Sequence, residues 1–336
     1  MDGLFDRRDL IALRRRIYLV LVVAGLLGMV GWVMGDAERM LAAESLPAAA
    51  RGGGAQPLTS GKSMDGFGAW SPDGRRIAFM RDSRIWLMSA DGTGARALTR
   101  DESMWDAVPA WRPDGKAIAF ARVSMEGDGA FVMTLDPSTG KAEILVKETA
   151  PVGHVAWDAA GTTLYYTTPQ RLMRVNIKTG KAQQVHEVPE DWDMQAGGLA
   201  VMPDGKAVIF GAGPRVGRSV QYDLQKLDVT QPGQERERIT TGGGIMPVLD
   251  RTGKQLAYRS PREASGIYVM DLLRHTTRQV LADEGRALYF HPAFSPDGRR
   301  LLLSRLLVGT TGGGPDGSRF TSHLYVHTLT GSGGNQ

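Results

Sequence analysis

The sequence contains no cysteine among its 336 residues, and this absence removes disulfides, thiolate metal sites and thiol nucleophiles together. Aromatic residues are also scarce, at 7% of the chain. Binding of single-stranded nucleic acid needs a broad stacking surface of aromatic side chains, so we predict no nucleic-acid partner. The net charge of +4 says little about partners, because it comes largely from five arginines within the first 16 residues.

Motifs of nucleophilic and metal-dependent catalysis are missing as well. The sequence has no G-x-S-x-G elbow, no H-E-x-x-H pair and no stretch with the ligand spacing of a calcium loop. Its glycine runs, Gly242 to Gly244 and Gly312 to Gly314, do not precede a lysine-led helix of the kind that cradles phosphate. We therefore expect no catalytic, cofactor-binding or metal-ligating residues, and we predict that the chain is not an enzyme.

A single apolar run, from Ile17 to Met34, has no charged residue over 18 positions. This length and composition predict a transmembrane signal anchor, with residues 1–16 as a basic cytoplasmic tail and residues 35–54 as a stalk. The positive-inside rule then places the remaining chain outside the cytoplasmic membrane. A cleaved signal peptide ending near Gly35 is the alternative, and it leads to a secreted or periplasmic protein.

After residue 54 the chain repeats one strand-turn-strand unit, which is clearest in Ala69 to Phe79, AWSPDGRRIAF. Proline, aspartate and glycine supply the turn chemistry, and alternating apolar residues follow as in a half-buried strand. The turn occurs six times, with spacings of 41 to 48 residues between its glycines, which are Gly74, Gly115, Gly161, Gly205, Gly253 and Gly298. A period in the forties made of strands predicts an all-β, six-bladed β-propeller.

The last repeat lacks its fourth strand, because the chain continues after Leu329 as a glycine-rich tail, residues 331–336. A segment resembling a fourth strand instead precedes the first repeat, at residues 55–60. We predict that this segment completes the sixth blade and closes the ring, so that the propeller spans residues 55–330.

The repeated pattern A-W-S-P-D-G-R-R-I-A-F, followed by I-W-L-M-S-A-D-G and A-L-T, resembles the WD40-like repeats of the TolB-like propeller family. The resemblance covers residues 55–330 and implies a six-bladed propeller. Similar propellers serve as gating domains of prolyl oligopeptidase-like enzymes and as sensor domains. TolB proteins carry an α/β domain ahead of the propeller, where this chain has its predicted anchor and stalk.

Long, dissimilar connections are predicted to share one face of the ring, which we call the loop face. They are residues 99–108, 123–130, 186–199, 211–219 and 308–322. Aromatic residues lie beside charged or imidazole side chains in this region, and the candidate binding residues are Trp105, Asp106, His154, Trp192, Asp193, Tyr289 and His291. For Trp105 and Trp192, contact with a partner and packing of a long loop remain equally open.

Two histidines, His154 and His291, occupy the same repeat position near the mouth of the central channel. They belong to opposite blades, so a single metal ion would not easily bind both. Trp70, Trp111 and Trp157 lie on inner strands, where packing between blades is expected.

These features predict a membrane-anchored, non-catalytic propeller that binds an envelope protein or a small wall or sugar ligand. One alternative is a hydrolase or lyase that uses the central channel. Another is an envelope sensor of a sugar or peptide. The sequence indicates no cofactor and leaves the oligomeric state open.

Overall fold

A computed structural model describes residues 54–329, except 128, 218, 232, 234, 262, 263 and 309–319. The predicted basic tail, membrane anchor, nearly all of the stalk and the C-terminal tail lie outside the described residues. Within the described part of the chain, no helix has the length and apolar character needed to cross a membrane.

Six antiparallel sheets, one per blade, account for all of the strands described below. A short first strand, β1 (Gln56–Pro57), belongs to the last blade. Blade 1 contains β2 (Asp65–Trp70), β3 (Arg76–Arg81), β4 (Arg84–Ser89) and β5 (Arg96–Ala97). Blade 2 contains β6 (Met104–Trp111), β7 (Ile118–Ser124), β8 (Ala130–Leu135) and β9 (Ala142–Glu148). Blade 3 contains β10 (Val155–Trp157), β11 (Thr163–Thr167), β12 (Arg171–Asn176) and β13 (Ala182–Glu187).

Blade 4 is the most elaborate of the sheets and includes two additional short strands. It contains β14 (Trp192–Asp193), β15 (Leu199–Val201), β16 (Ala207–Val216), β17 (Ser219–Val220), β18 (Asp223–Asp228) and β19 (Glu237–Arg238). Blade 5 contains β20 (Ile245–Leu249), β21 (Gln255–Ser260), β22 (Gly266–Asp271) and β23 (Thr276–Ala282). Blade 6 contains β24 (Ala287–Phe294), β25 (Arg300–Val308) and β26 (Phe320–Thr328), with β1 as its fourth strand.

The ring closes as the sequence predicts. Strand β1 pairs antiparallel with β26, with Gln56 opposite Val326. Beyond this pairing, the main-chain nitrogen of Leu58 donates to the carbonyl of Leu324 at 2.8 Å, and Leu324 donates in return to the Thr59 hydroxyl at 2.9 Å. The first and last parts of the propeller are thus joined in one sheet, in which β1 covers the edge of β26.

The repeated turn is held by its own side chains. In the first copy, Asp73 accepts hydrogen bonds from the Ser71 hydroxyl at 2.6 Å and from the Arg75 main-chain nitrogen at 3.1 Å. Gly74 adopts a φ of 70°, which glycine tolerates without strain. The hydrogen bond from Ser71 lowers the pKa of the Asp73 carboxyl. This aspartate is therefore used in turn geometry, in agreement with its sequence pattern.

The core lies between neighbouring blades rather than within one central layer. Buried residues of blades 6 and 1, for example, pack together as Trp70, Ile77, Phe79, Leu302 and Leu324. Two inner-strand tryptophans form hydrogen bonds to the preceding blade. Trp111 Nε1 donates to the carbonyl of Ala69 at 3.2 Å, and Trp157 Nε1 donates to the carbonyl of Ala110 at 3.1 Å. Their predicted role in packing between blades is confirmed.

Candidate functional site in the central channel

Four of the six inner strands have a bulge at the same repeat position. The strand register shifts at this point in blades 1, 2, 5 and 6. At each shift a residue other than glycine adopts a positive φ, and these residues are Phe67, Val108, Met246 and His291, at 49° to 56°. His154 and Gly198 occupy the equivalent position in blades 3 and 4. Positive φ is unfavourable for such side chains and marks positions where function can maintain strain.

Three of these residues meet although they come from different blades. The ring of Phe67 lies 3.8 Å from the ring of His291 and 6.5 Å from the ring of His154, measured between centroids. Blades 3 and 6 are opposite each other, so a contact of both histidines with one phenylalanine places the cluster at the axis of the ring. The structure therefore brings the two predicted histidines to either side of Phe67.

Hydrogen bonds fix the proton on one of the two imidazoles. His154 Nδ1 lies 3.2 Å from the carbonyl oxygen of Gln195, which can only accept, so Nδ1 carries the proton in the neutral ring. His154 Nε2 then has a free lone pair. This atom is buried and has no hydrogen-bond partner, and the same is true of His291 Nε2. His291 Nδ1 lies 3.3 Å from the hydroxyl of Ser304, which also accepts from the Phe67 main-chain nitrogen at 3.2 Å.

Burial keeps both histidines neutral. It lowers the pKa of His154 to about 4, and the Gln195 carbonyl offsets this only in part. Burial also lowers the pKa of His291 well below its usual range, assisted by the nearby His154 and Arg259. A neutral imidazole with an unbonded Nε2 is the form that acts as a general base.

Charged groups of the loop face are mostly used for structure. Asp106 is buried and forms two hydrogen bonds with Arg122, at 2.6 and 2.8 Å. Asp65 and Arg81 repeat this arrangement in blade 1, at 2.7 and 2.8 Å. The structure thus places the candidate residue Asp106 in an ion pair that braces its blade.

Asp193 is likewise buried within a network. It accepts from Arg215 at 2.7 Å, from the Tyr222 hydroxyl at 2.8 Å and from the Gln195 main-chain nitrogen at 2.8 Å. Burial and the neighbouring Asp193 raise the pKa of Tyr222, so its hydroxyl remains a donor. Because Gln195 also contacts His154, this network positions the segment that holds the channel histidine.

The aromatic candidates occupy three different environments. Trp105 is half-buried, and its Nε1 lies 3.5 Å from the Met80 sulfur. Tyr289 is buried, and its main-chain carbonyl accepts from Arg259. Trp192 is half-buried beneath the guanidinium of Arg236, which lies 4.3 Å from the ring centroid. Among the described residues, no aromatic contact joins any of these three rings to His154 or His291.

Sequence reasoning identified the two histidines but missed Phe67. The available signal was the repeat alignment itself, which places Phe67 at the position of His154 and His291. The glycines on either side of Phe67 are a second signal. A Cβ on Gly68 would lie 2.5 Å from a methyl carbon of Leu302, so the backbone approaches the neighbouring blade closely at this position.

The fold is a six-bladed β-propeller, and solved TolB structures are among those that superpose on it. The putative TolB from Agrobacterium tumefaciens superposes with a TM-score of 0.58 and 17% identity, over 81% of this chain and 93% of that chain. The family resemblance predicted from the sequence is thereby confirmed at the level of the fold. No family model matches the sequence.

Propellers named as enzymes have the same fold. An oligogalacturonate lyase in complex with manganese superposes with a TM-score of 0.55 and 15% identity, covering 82% of this chain and 80% of that chain. The Xanthomonas campestris gluconolactonase XC5397 superposes with a TM-score of 0.57 and 16% identity, covering 81% and 89%. The described residues of this chain contain no group of three or more His, Cys, Asp or Glu side chains that would hold a metal ion.

A curated relative is also named as an enzyme. The uncharacterized peptidase YuxL of Bacillus subtilis (strain 168) is 31% identical over 165 residues, which is 48% of this chain. The match spans 23% of YuxL, less than a quarter of its length. The expectation that the chain is not an enzyme is contradicted by these findings. That expectation relied on missing serine-hydrolase and zinc motifs, which do not bear on acid-base chemistry by histidines from separate blades.

Proposed function

We propose that the propeller is an enzyme, a lyase or hydrolase that binds a sugar-acid derivative in its central channel and uses His154 as general base. The observation that carries this proposal is the pair of buried imidazoles at the axis, each with an unbonded Nε2. Burying such a nitrogen without a partner costs free energy, and functional sites are places where this cost is retained.

The geometry suits removal of a proton from bound substrate. In a lyase, His154 Nε2 would take the proton from the carbon next to a carboxylate. The bond from the neighbouring carbon to its leaving oxygen would break as the double bond forms, and the leaving oxygen would keep the bonding electron pair and take up a proton from water. In a hydrolase, the same nitrogen would take a proton from the water that attacks a lactone carbonyl, and the ring C–O bond would then break as the ring oxygen receives that proton from the imidazolium. Both reactions use one group, a neutral imidazole shielded from bulk solvent.

The substrate class is proposed from the extent of the matches. The lyase and the gluconolactonase are matched over at least 80% of their own chains, so in both the propeller makes up most of the chain. YuxL is matched over less than a quarter of its length. Sugar acids and their lactones are therefore a better first choice of substrate than peptides.

Access to the histidines requires movement of Phe67. Both Nε2 atoms are shielded from solvent, and the Phe67 ring lies against His291. We propose that substrate displaces this ring when it enters the channel.

The experiment measures turnover of oligogalacturonates and of aldonolactones by the purified full chain. We expect one of these substrate classes to be converted, and His154→Gln to lower kcat by about 100-fold or more, the usual range for a general base. His275→Gln is the matched control, since His275 is exposed and should leave the rate unchanged. Absence of turnover with both classes, or full activity of His154→Gln, would refute the proposal.

We further propose that residues 17–34 anchor the enzyme in the cytoplasmic membrane, with the propeller outside and the substrate drawn from the cell envelope. The uncharged run and the preceding arginines support this orientation. Cell fractionation, together with protease digestion of spheroplasts, tests it. A propeller that is protected from the protease in intact spheroplasts contradicts it, and a soluble periplasmic form favours cleavage near Gly35.

A further inference from the structure

We propose that Arg236, Trp192 and His186 form a binding site for a carboxylate group at the junction of blades 3 and 4. The site is separate from the channel cluster. The carboxylate is inferred from the geometry of these residues, and its assignment to a sugar acid rests on the proposed function.

The first observation is the pairing of arginines near the loop face. Five of them are matched with a buried or nearly buried aspartate, in the pairs Arg81 with Asp65, Arg122 with Asp106, Arg215 with Asp193, Arg238 with Asp223, and Arg259 with Asp283. Arg236 is half-buried, and its guanidinium takes part in none of the hydrogen bonds and ion pairs found among the described residues, its contact being the ring of Trp192. Burial lowers its pKa, and no carboxylate offsets this effect.

Stacking on tryptophan does not by itself distinguish Arg236. Arg76 lies over Trp111 and Arg300 lies over Trp70 in the same way, at 4.9 and 4.8 Å from the ring centroids. Those two arginines, however, interact electrostatically with the turn carboxylates Asp73 and Asp297. Arg236 combines the stacked geometry with the lack of such a carboxylate, so its guanidinium is oriented but not neutralised.

The second observation is the neighbouring histidine. His186 Nε2 is buried and has no hydrogen-bond partner, and the ring lies 6.1 Å from that of Phe210. Burial and the positive charge of Arg236 lower the pKa of His186. The adjacent Glu187 opposes this effect but accepts a hydrogen bond from Gln184 at 3.2 Å. His186 contacts Phe210, which packs in the same cluster as Trp192, the residue on which Arg236 stacks.

A carboxylate satisfies both groups at once. The planar guanidinium fork can donate two hydrogen bonds to it, and a protonated imidazole nitrogen can donate a third. The half-buried setting strengthens such bonds because water competes less there.

The position of Trp192 connects this site with the channel. Asp193, the next residue, accepts from the Gln195 main-chain nitrogen, and the Gln195 carbonyl contacts His154 Nδ1 at 3.2 Å. A carboxylate held beside Trp192 therefore lies within one short segment of the proposed base.

The test is calorimetric titration of the full chain with D-galacturonate, D-galactose and N-acetyl-alanyl-alanine. We expect D-galacturonate to bind at least about tenfold more tightly than D-galactose, which lacks the carboxylate, and Arg236→Gln to weaken D-galacturonate binding by about tenfold or more. Arg236→Lys, which keeps the charge but loses the planar fork, should bind with intermediate affinity. The matched control is Arg278→Gln, which changes an exposed arginine of blade 5 and should leave the affinity unchanged.

Each alternative outcome has a separate meaning. Equal affinity for D-galactose, or unchanged binding by Arg236→Gln, overturns the site. Equal affinity for the dipeptide supports the carboxylate site but overturns its assignment to sugar acids. His154→Gln should still bind D-galacturonate, so loss of turnover in that variant reports on the channel base and not on the carboxylate site.

Discussion

Replacement of Asp106 by alanine tests whether the loop face is built on buried ion pairs. The Asp106 side chain is fully buried, and that of Arg122 is 14% exposed. Two short hydrogen bonds join them, at 2.6 and 2.8 Å. The main-chain nitrogen of Asp106 also donates to the Ser83 carbonyl of blade 1 at 3.1 Å, so the pair lies at a junction of blades.

The expected cost follows from the partner that remains. In Asp106→Ala, the Arg122 guanidinium stays largely buried without a counter-charge, and breaking a buried pair in this way costs about 3–5 kcal/mol. For a chain of this size, each kcal/mol lowers the unfolding midpoint by about 2–4 °C, so we expect a decrease of about 10 °C. Circular dichroism during heating of the full chain measures it.

Two comparisons show whether burial is the cause. Glu143→Ala breaks the ion pair between Glu143 and Lys141, whose side chains are 66% and 75% exposed, respectively. This change should leave the unfolding midpoint nearly unchanged because water screens exposed pairs. Combining Asp106→Leu with Arg122→Met removes both charges and should be less damaging than Asp106→Ala. If Asp106→Ala is as harmless as Glu143→Ala, the loop face does not depend on this pair and Asp106 regains its candidacy as a ligand contact.

Three further predictions concern the channel and the ring closure. Folding lowers the pKa of His154 from 6.5 to about 4, so the unfolded chain binds the proton first as the pH decreases. The free energy of unfolding should therefore fall by about 3 kcal/mol between these two pH values. His154→Gln should show a weaker decrease in the denaturant midpoint over the same pH range, and an identical pH profile would contradict the burial of this histidine. Phe67→Ala should make His154 and His291 reactive toward diethyl pyrocarbonate while exposed His275 reacts equally in both proteins, and unchanged protection would show that another group shields the channel. Deletion of residues 55–60 removes the strand that pairs with β26 and should lower the unfolding midpoint of the whole propeller, whereas Ser60→Ala, at an exposed position, should not; an unaltered midpoint after the deletion would contradict the closure.

The fold was predictable because its determinants are local and repeated. A turn such as Ser71 to Gly74 is specified by a hydroxyl, a carboxylate and a residue that tolerates positive φ within four positions. Six copies at similar spacing then leave few architectures other than a propeller. The closing strand was predictable for the same reason, since residues 55–60 resemble a fourth strand that the last repeat lacks.

The candidate site was predictable only in part, because its contacts join distant positions. Asp106 and Arg122 are 16 residues apart and meet across paired strands, so a sequence pattern that places Asp106 on a loop does not reveal that it is buried. The same spacing recurs between Asp65 and Arg81, and this repetition was the signal that could have identified the pair. The contact of Phe67 with His154 depends on the curvature of the whole ring, which no local pattern specifies.

The repeated aspartates and the histidines at the axis differ in what the propeller fold requires of them. Residues that recur in every blade, such as the turn aspartates and the inner-strand apolar positions, are required by the common architecture. The repeat position of Phe67 occurs once on the inner strand of each blade but differs in side chain, from glycine to histidine. One ring can acquire a particular chemistry at such a position. The two imidazoles that contact Phe67 occupy such a position, and this is why the proposed function places its general base there.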